Sequence, residues 1–238
     1  MERKDSNAKF PQTRWSVVLR AAGGGVGGDN ALGELFQTYW FPLYSFARRS
    51  GHSAADAEDL VQNFLSKAVE THLFAKADIE KGKLRTFLLT TFRRFARDEY
   101  EKANAQKRGG GNVISFDAVE AENWYDRDQI EGETPEKMYD RQWAVTVLEN
   151  AVKRLEGQWA QKGKNKEFEG LRPFLTGTGD SADYEKIGRE IGMKPDTVKV
   201  TIHRMRAKFS VALREEVQDT HADDSDVDEE LRYLIQLL

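Results

Sequence analysis

The sequence predicts an all-α protein with two small helical domains, an acidic linker between them, and a helix-turn-helix in the second domain. Apolar residues recur every three or four positions over most of the chain, and no strand pattern exceeds a few residues. Of 238 residues, 39% are hydrophobic and 32% are charged, which suits small domains with wide solvated faces. The helical period fails between residues 107 and 133, where Asp117 to Glu133 contains seven acidic residues and one basic residue.

The first 30 residues are predicted to be an N-terminal extension that ends in a flexible spacer, Gly23 to Gly28. This spacer lacks the Lys-Ser/Thr of a phosphate-binding loop, and no predicted strand precedes it, so we expect no nucleotide site there. The first 15 residues also lack the apolar core of a signal peptide.

Three helices are predicted in a first domain, residues 31–106. The second helix should begin after Ser53, a suitable N-cap with Asp56 three residues further on, and the third should run from about Leu84 to Asn104. The residues expected to face the core are Leu32, Leu35, Phe36, Tyr39, Leu43 and Phe46 in the first helix, Leu60, Val61, Phe64, Leu65 and Ala68 in the second, and Leu84, Leu88, Thr91 and Phe95 in the third.

A second domain is predicted for residues 134–216, after a linker at 107–133. Thr134, Pro135 and Glu136 should start its first helix, because they supply a cap, a proline in the first turn and an acid near the positive end of the dipole. The expected buried stripe of this helix is Val145, Leu148, Val152, Leu155 and Trp159, and a short helix with Phe168, Leu171, Phe174 and Leu175 should follow.

A helical hairpin is predicted between Ile187 and Phe209. Gly188 lies where a side chain would hold the second helix away, Gly192 suits a left-handed helix end, and Pro195 suits the next first turn. In the first hairpin helix Tyr184, Ile187 and Ile191 are expected to face inward. In the second, the expected buried stripe is Val198, Ile202, Met205, Phe209 and Leu213.

The opposite face of that second helix carries donors, cations and a small apolar side chain, which can contact base edges and phosphates. The candidate DNA-binding residues are Lys194, Asp196, Thr197, Lys199, Val200, His203, Arg204 and Arg206. The alternative is a hairpin with a solvated basic face.

Charge is unevenly distributed along the chain. The net charge is −4, from 36 basic and 40 acidic residues, but Glu215 to Leu238 contains nine acids and one base. The remainder, 35 basic and 31 acidic residues, therefore has a charge of +4. A mildly basic body followed by an acidic tail, residues 217–238, is compatible with binding to phosphates.

Three segments resemble extracytoplasmic-function sigma factors of the sigma-70 family. "DYEKIGREIGMKPDTVKVTIHRMRAKF" resembles the domain that reads the upstream, minus-thirty-five element, and "AEDLVQNFL" is similar to the helix that binds the polymerase clamp. "GKLRTFLLTTFRRFARDEYEKANAQKR" is similar to the segment that melts and binds the minus-ten element. The segments occur in the family's order, with a linker where the family has one.

The resemblance implies a dissociable promoter-specificity subunit that directs bacterial RNA polymerase to initiate transcription. Its implied partners are core RNA polymerase and promoter DNA. It places polymerase binding on Asp56, Glu58, Asp59, Gln62 and Phe64 and minus-ten binding on Lys83, Arg85, Arg93, Arg94 and Arg97. It also makes Phe74 to Lys83 the loop that holds a flipped base. Asp59 and Gln62 are expected to be exposed.

The chain departs from the family at Thr201, where many members have arginine, and in its N- and C-terminal extensions. Long variants of this kind are associated with Ser/Thr kinase signalling, so an anti-sigma factor or such a kinase is a candidate regulator. The apolar end "LRYLIQLL" should form a short amphipathic helix. The tail could then cover the basic DNA-binding face, bind a regulator, or be a solvated end.

Other classes of function are disfavoured. The chain has no cysteine, which excludes disulfides and thiolate metal sites, and no apolar stretch approaches the roughly 20 residues of a membrane span. Its four histidines are scattered and no HExxH occurs. We expect a soluble cytoplasmic protein without cofactor or metal and without enzymatic activity. A stand-alone helix-turn-helix transcriptional regulator remains the main alternative, and a nuclease the lesser one.

Overall fold

The computed structural model describes residues 26–73, 83–105, 118–177, 181–218 and 227–238. These residues form α-helices and one short 3-10 turn, and no strand occurs among them, so the predicted all-α class is confirmed. The helices are α1 Val26–Arg49, α2 Ala54–Glu70, α3 Leu84–Ala105, α4 Ala118–Arg127, α5 Pro135–Ala160, α6 Asn165–Leu171, α7 Ser181–Ile191, α8 Pro195–Gln218 and α9 Val227–Leu237, with the 3-10 turn at Arg172–Phe174.

Two compact units divide the chain, and the main boundary falls within α5, between Gln142 and Trp143. The first eight residues of α5 therefore belong with the N-terminal unit. Two sequence-based expectations are wrong here. The spacer ends earlier than predicted, because α1 already begins at Val26. The linker contains a helix, because α4 forms within residues predicted to have no helical period.

The core of the N-terminal unit is built around an aromatic cluster. The Phe92 ring is fully buried and lies 5.2 Å from the ring of Phe64 and 6.0 Å from that of Phe46, measured between centroids. Phe92 was not among the predicted core residues, whereas Thr91 was. Thr91 is only partly buried, and its hydroxyl donates to Phe87 O at 2.8 Å. The neighbouring aromatic side chain of Phe92 fills the core instead.

Helix α4 is attached to α1 by a charged contact beside two buried side chains, Ala121 and Tyr125. The carboxylate of Glu122 accepts hydrogen bonds from the Tyr44 hydroxyl and from Arg48, whose Nε lies 2.9 Å away. Hydrogen bonding from Arg48 lowers the pKa of Glu122, and burial, together with the Glu122 carboxylate, raises the pKa of Tyr44. The Arg48 guanidinium also lies over the Tyr125 ring, 4.9 Å from its centroid.

The turn between α4 and α5 is held by two arginines. Arg49 donates from Nε to Glu133 O at 2.7 Å and from Nη2 to Ile130 O at 2.9 Å. Arg141 donates from Nε to the Glu133 carboxylate at 3.0 Å. These contacts fix the last residues of the predicted linker against the N-terminal unit, because each satisfies a loop oxygen with a charged donor.

The core of the C-terminal unit is formed by α5, α6 and α8. In the part of α5 that belongs to this unit, the fully buried residues include Trp143, Val147, Ala151 and the predicted Leu155, while the predicted Val145, Leu148, Val152 and Trp159 are only partly buried. The predicted stripe was thus displaced by about one residue around the helix. A pattern that counts only large apolar side chains does not detect the small buried residues of the observed stripe, Ala144 and Ala151.

Helix α9 is part of the C-terminal unit and packs against α8. Val227 and Leu234 are buried, and Asp228 forms an ion pair with Arg214 of α8. The expected amphipathic terminal helix is therefore present, and residues 227–237 are not a solvated end. Residues 219–226, which hold part of the acidic tail, lie outside the described residues.

Candidate nucleic-acid interface

The turn between α7 and α8 has the geometry predicted from its glycines. Gly192 has a φ of 75°, in the left-handed region, and Pro195 is the first residue of α8. A Cβ atom on Gly188 would lie 2.6 Å from Met193 O, and the Met193 N–H donates to Gly188 O at 2.8 Å. Only glycine therefore lets the chain fold back this closely over α7.

The predicted apolar stripe of helix α8 faces the core. Val198, Ile202, Met205 and Phe209 are buried as expected. At the end of the stripe Ala212 is buried and the predicted Leu213 is only partly buried. This orientation fixes which side chains of α8 face solvent.

The solvent-facing side of this hairpin carries seven of the eight side chains predicted to bind the upstream element. Val200 keeps 48% of its surface exposed, and a small apolar group of this kind can contact a thymine methyl. The exposed candidates are Lys194, Asp196, Thr197, Lys199, Val200, His203 and Arg204. Positions 196, 199 and 203, like 197, 200 and 204, are three or four residues apart and so share one helix face.

Arg206 is the exception, because the protein itself holds this side chain, which was predicted to bind DNA. Its Nε donates to Phe174 O at 2.8 Å, and its Nη2 donates to Gly177 O. Both carbonyls lie where the chain leaves the 3-10 turn, and the side chain is partly buried. Arg206 therefore stabilises the end of the 3-10 turn and the residues just after it, because carbonyls at a helix end have no intrahelical donor.

Helix α3 presents the basic face predicted for minus-ten binding. Arg94 and Arg97 are exposed. Arg93 is 57% exposed at its side chain, and its Nη1 lies 3.0 Å from a carboxylate oxygen of Glu136. Lys83, just before α3, is partly buried.

Arg85, also predicted to bind the minus-ten element, is buried in an ion pair instead of exposed like Arg94. Its guanidinium pairs with the carboxylate of Asp140, and only 9% and 19% of the two side chains are exposed. Burial costs each charge part of its hydration, so opening the pair would separate two charges that the protein largely shields from water. The remainder of the predicted base-holding loop, residues 74–82, lies outside the described residues.

Helix α2 carries the predicted polymerase-binding residues, and the structure separates them into two groups. Asp56 and Asp59 are exposed, and Glu58 is partly exposed. Ser53 caps the helix as predicted, since its Oγ accepts from the Asp56 N–H at 3.1 Å.

The other two polymerase-binding candidates on α2 are buried. Gln62 is only 4% exposed and donates from Nε2 to Glu58 at 2.9 Å, so its expected exposure is wrong. Phe64 is 2% exposed and belongs to the aromatic core, 5.6 Å from the Phe95 ring. Gln62 follows Glu58 by one helical turn, so its amide is held by that carboxylate at the edge of the core.

Two acidic residues that hold the N-terminal unit together, Glu122 and Asp140, were missed by the sequence reasoning. For Glu122 a local signal existed, because Ala121 and Tyr125 are four residues apart and both are buried. For Asp140 no local signal existed, because its partner Arg85 is 55 residues away in sequence.

Neither metal binding nor a membrane span is indicated by the described part of the chain. No group of three or more His, Asp or Glu side chains there is placed to hold a metal ion. None of the helices in the described ranges is long and apolar enough to cross a bilayer.

Residues 35–106 match the family model for sigma-70 region 2. The match supports the interpretation that this segment is region 2 of a sigma-70 family sigma factor. It covers α1 from Leu35 onward and the whole of α2 and α3, and hence both the acidic face of α2 and the basic face of α3. Proteins with this region are non-enzymatic transcription initiation factors that bind core RNA polymerase. No curated protein and no solved structure shows a significant match to the chain.

Proposed function

We propose that this chain is an extracytoplasmic-function type sigma factor, a dissociable subunit that directs bacterial RNA polymerase to promoters and starts transcription there. The sigma-70 region 2 match over residues 35–106 carries the proposal. The acidic face of α2, the basic face of α3 and the open face of α8 agree with it, since initiation requires contacts to polymerase and to two promoter elements.

Polymerase binding is assigned to the exposed carboxylates of α2, Asp56 and Asp59, with Glu58 beside them. Complementary charge steers and orients such an interface more than it adds affinity. Gln62 and Phe64 contribute by holding the helix in place, because both are buried.

Minus-ten binding is assigned to Arg94 and Arg97, with Arg93 available once it leaves Glu136. Cations along one helix can follow the backbone of a separated strand, and the resulting affinity falls with salt. Upstream recognition is assigned to Lys199, Val200, His203 and Arg204.

Pull-down with core RNA polymerase, followed by run-off transcription, tests the proposal. Replacing Asp59 with Ala should weaken core binding without loss of helical content, because Asp59 is exposed. Glu70→Ala is the matched control: it also removes a carboxylate from α2, but at the far end, where Glu70 pairs with Lys67 at 3.0 Å. Equal binding by wild type and Asp59→Ala would contradict the polymerase-binding assignment.

A selection from random duplex DNA, with and without core polymerase, separates this proposal from a stand-alone helix-turn-helix regulator. A sigma factor should enrich two asymmetric elements only when polymerase is present. A lone regulator would enrich a palindrome without it, because such regulators bind as dimers. Control by an anti-sigma factor or a Ser/Thr kinase stays a prediction from the sequence.

A further inference from the structure

The exposed face of α8 carries an acidic side chain among its basic ones. Asp196 is the one acidic residue between Lys194 and Arg204, a segment that also contains Lys199 and His203. All five of these side chains are exposed. Within the described ranges, the Asp196 carboxylate has no hydrogen-bond or ion-pair partner, although Lys199 follows it by three positions. The fold therefore leaves this carboxylate available to a ligand.

Asp196 lies on the midline of this face. At about 100° per residue, its side chain leaves α8 about 180° from that of the buried Met205 and about 20° from that of His203. Val200, one turn further on, leaves the helix about 40° from Asp196. A ligand that contacts this face near the start of α8 therefore meets a negative charge.

The major groove of duplex DNA offers few partners to a carboxylate. Guanine presents only acceptors there, thymine an acceptor and a methyl group, and adenine a donor beside an acceptor. Cytosine alone presents a donor, its N4 amino group, without an acceptor of its own. Phosphate oxygens repel a carboxylate as well, so Asp196 lowers affinity for DNA unless a cytosine lies opposite it. An acidic residue at this position thus adds selectivity while it lowers general affinity.

Val200 supplies a second contact at a fixed distance from the first. Four residues along a helix correspond to about 6 Å, and base pairs of DNA are stacked about 3.4 Å apart. Asp196 and Val200 therefore reach base pairs about two steps apart when α8 follows the groove. Val200 keeps 48% of its surface exposed, and its methyl groups suit contact with a thymine methyl. The face thus favours a cytosine and a thymine at this spacing.

We propose that Asp196 determines specificity within the upstream promoter element by accepting a hydrogen bond from the N4 amino group of a cytosine. A thymine that contacts Val200 then lies about two base pairs away. The inference rests on the proposed function, because it takes the upstream element as the ligand of α8. It adds to that function the bases that α8 selects and a residue that acts mainly by rejecting other bases.

A selection from random duplex DNA with the full chain and core polymerase tests the inference. The wild-type protein should enrich one upstream cytosine, with a preference of about fivefold or more over the other bases. Asp196→Asn should move that preference to adenine, because an amide can pair with N6 and N7 of adenine. Asp196→Ala should abolish the preference at this position and leave the other positions unchanged. A change confined to one base position cannot come from a general loss of stability.

Glu190→Gln is the matched control for net charge. Glu190 is exposed near the end of α7, so this variant removes one negative charge from the same hairpin and leaves α8 intact. It should keep every base preference of the wild type. If Glu190→Gln shifts the cytosine preference as Asp196→Asn does, the effect is one of net charge and the inference is overturned. An unchanged preference at every position in Asp196→Asn overturns it too.

Arg204→Ala separates failure of this inference from failure of the proposed function. Arg204 lies on the exposed face of α8 and carries a cation. If Arg204→Ala alters a base preference and Asp196→Asn does not, α8 reads DNA without Asp196 and only the inference fails. If neither variant alters any preference, α8 is not the reader, and the upstream assignment of the proposed function fails as well.

Discussion

Helices α3 and α8 both carry basic residues at helical spacing, and both were predicted to bind DNA, yet they expose them differently. In α8, Lys199, His203 and Arg204 are all exposed, whereas Arg206 donates to two backbone carbonyls. In α3, Arg85 is buried in an ion pair and Arg93 contacts a carboxylate. Arg94 and Arg97 are exposed, and Arg97 forms only long ion pairs, at 4.0 Å, with Asp98 and Glu101 of its own helix.

The difference shows that basic residues in one periodic pattern can serve either the fold or a ligand, depending on the direction in which they leave the helix. Arg206 follows Arg204 by two positions, so it leaves α8 about 200° away, on the side that meets the 3-10 turn. Arg85 sits at the start of α3, beside α5. The exposed cations Arg94, Lys199 and Arg204 are the ones available to phosphate.

Arg85→Ala is expected to have the largest effect. Removing one partner of a largely buried pair takes from the Asp140 carboxylate the charge of Arg85, so the free energy of unfolding should fall by about 3 kcal/mol. Arg94→Ala, in the same helix but exposed, should change it by less than about 0.5 kcal/mol. Urea denaturation followed by circular dichroism measures both, and equal effects would remove the distinction between the two kinds of arginine.

The variants Arg206→Ala and Arg204→Ala should affect different properties, the first stability and the second DNA recognition. Losing the bonds from Arg206 to two carbonyls should destabilise the C-terminal unit by about 1–2 kcal/mol. Arg204→Ala should leave stability unchanged and cost about 1–3 kcal/mol at one base position of the upstream element. Denaturation curves and a DNA selection on both variants check this, and a lost base preference in Arg206→Ala alone would reverse the assignments.

The Glu122 contact should make the N-terminal unit sensitive to acid. Hydrogen bonding from Arg48 lowers the pKa of Glu122 below its ordinary value of 4.5. The resulting stability is present above the unfolded-state pKa and is lost as pH falls through the lower folded-state pKa. Between about pH 5 and about pH 2, wild type should therefore lose more stability than Glu122→Gln. If the free energy of unfolding falls equally with pH in both proteins, this prediction is contradicted.

Glu136→Gln should have the smallest effect, and in the opposite direction. Its pair with Arg93 is half exposed, so its worth after solvent screening is well below about 1 kcal/mol. Freeing Arg93 should raise affinity for single-stranded minus-ten DNA about twofold and steepen its salt dependence. Glu131→Gln, an exposed acid just before α5, controls for net charge. Fluorescence anisotropy across a salt series should show the rise for Glu136→Gln alone.

The sequence by itself determined the features that depend on near neighbours. The Ser53 cap, the Gly192 turn, the buried stripe of α8 and the terminal helix α9 were all predictable. Each follows from the preferences of one residue or from the spacing of residues one turn apart. The solvent-exposed face of α8 was therefore predictable too, because it is the side of the helix opposite the buried stripe.

Only the tertiary structure decided which polar side chains form hydrogen bonds and ion pairs within the protein. Arg85 pairs with a residue 55 positions away, Arg206 with a carbonyl 29 away, and Arg48 with Glu122, 74 away. No local pattern encodes such partners, because periodicity reports which face is apolar and not what approaches the polar one. The same reason explains why Gln62 is buried and why α4 forms in an acidic segment: the surface that accepts each is built by distant parts of the chain.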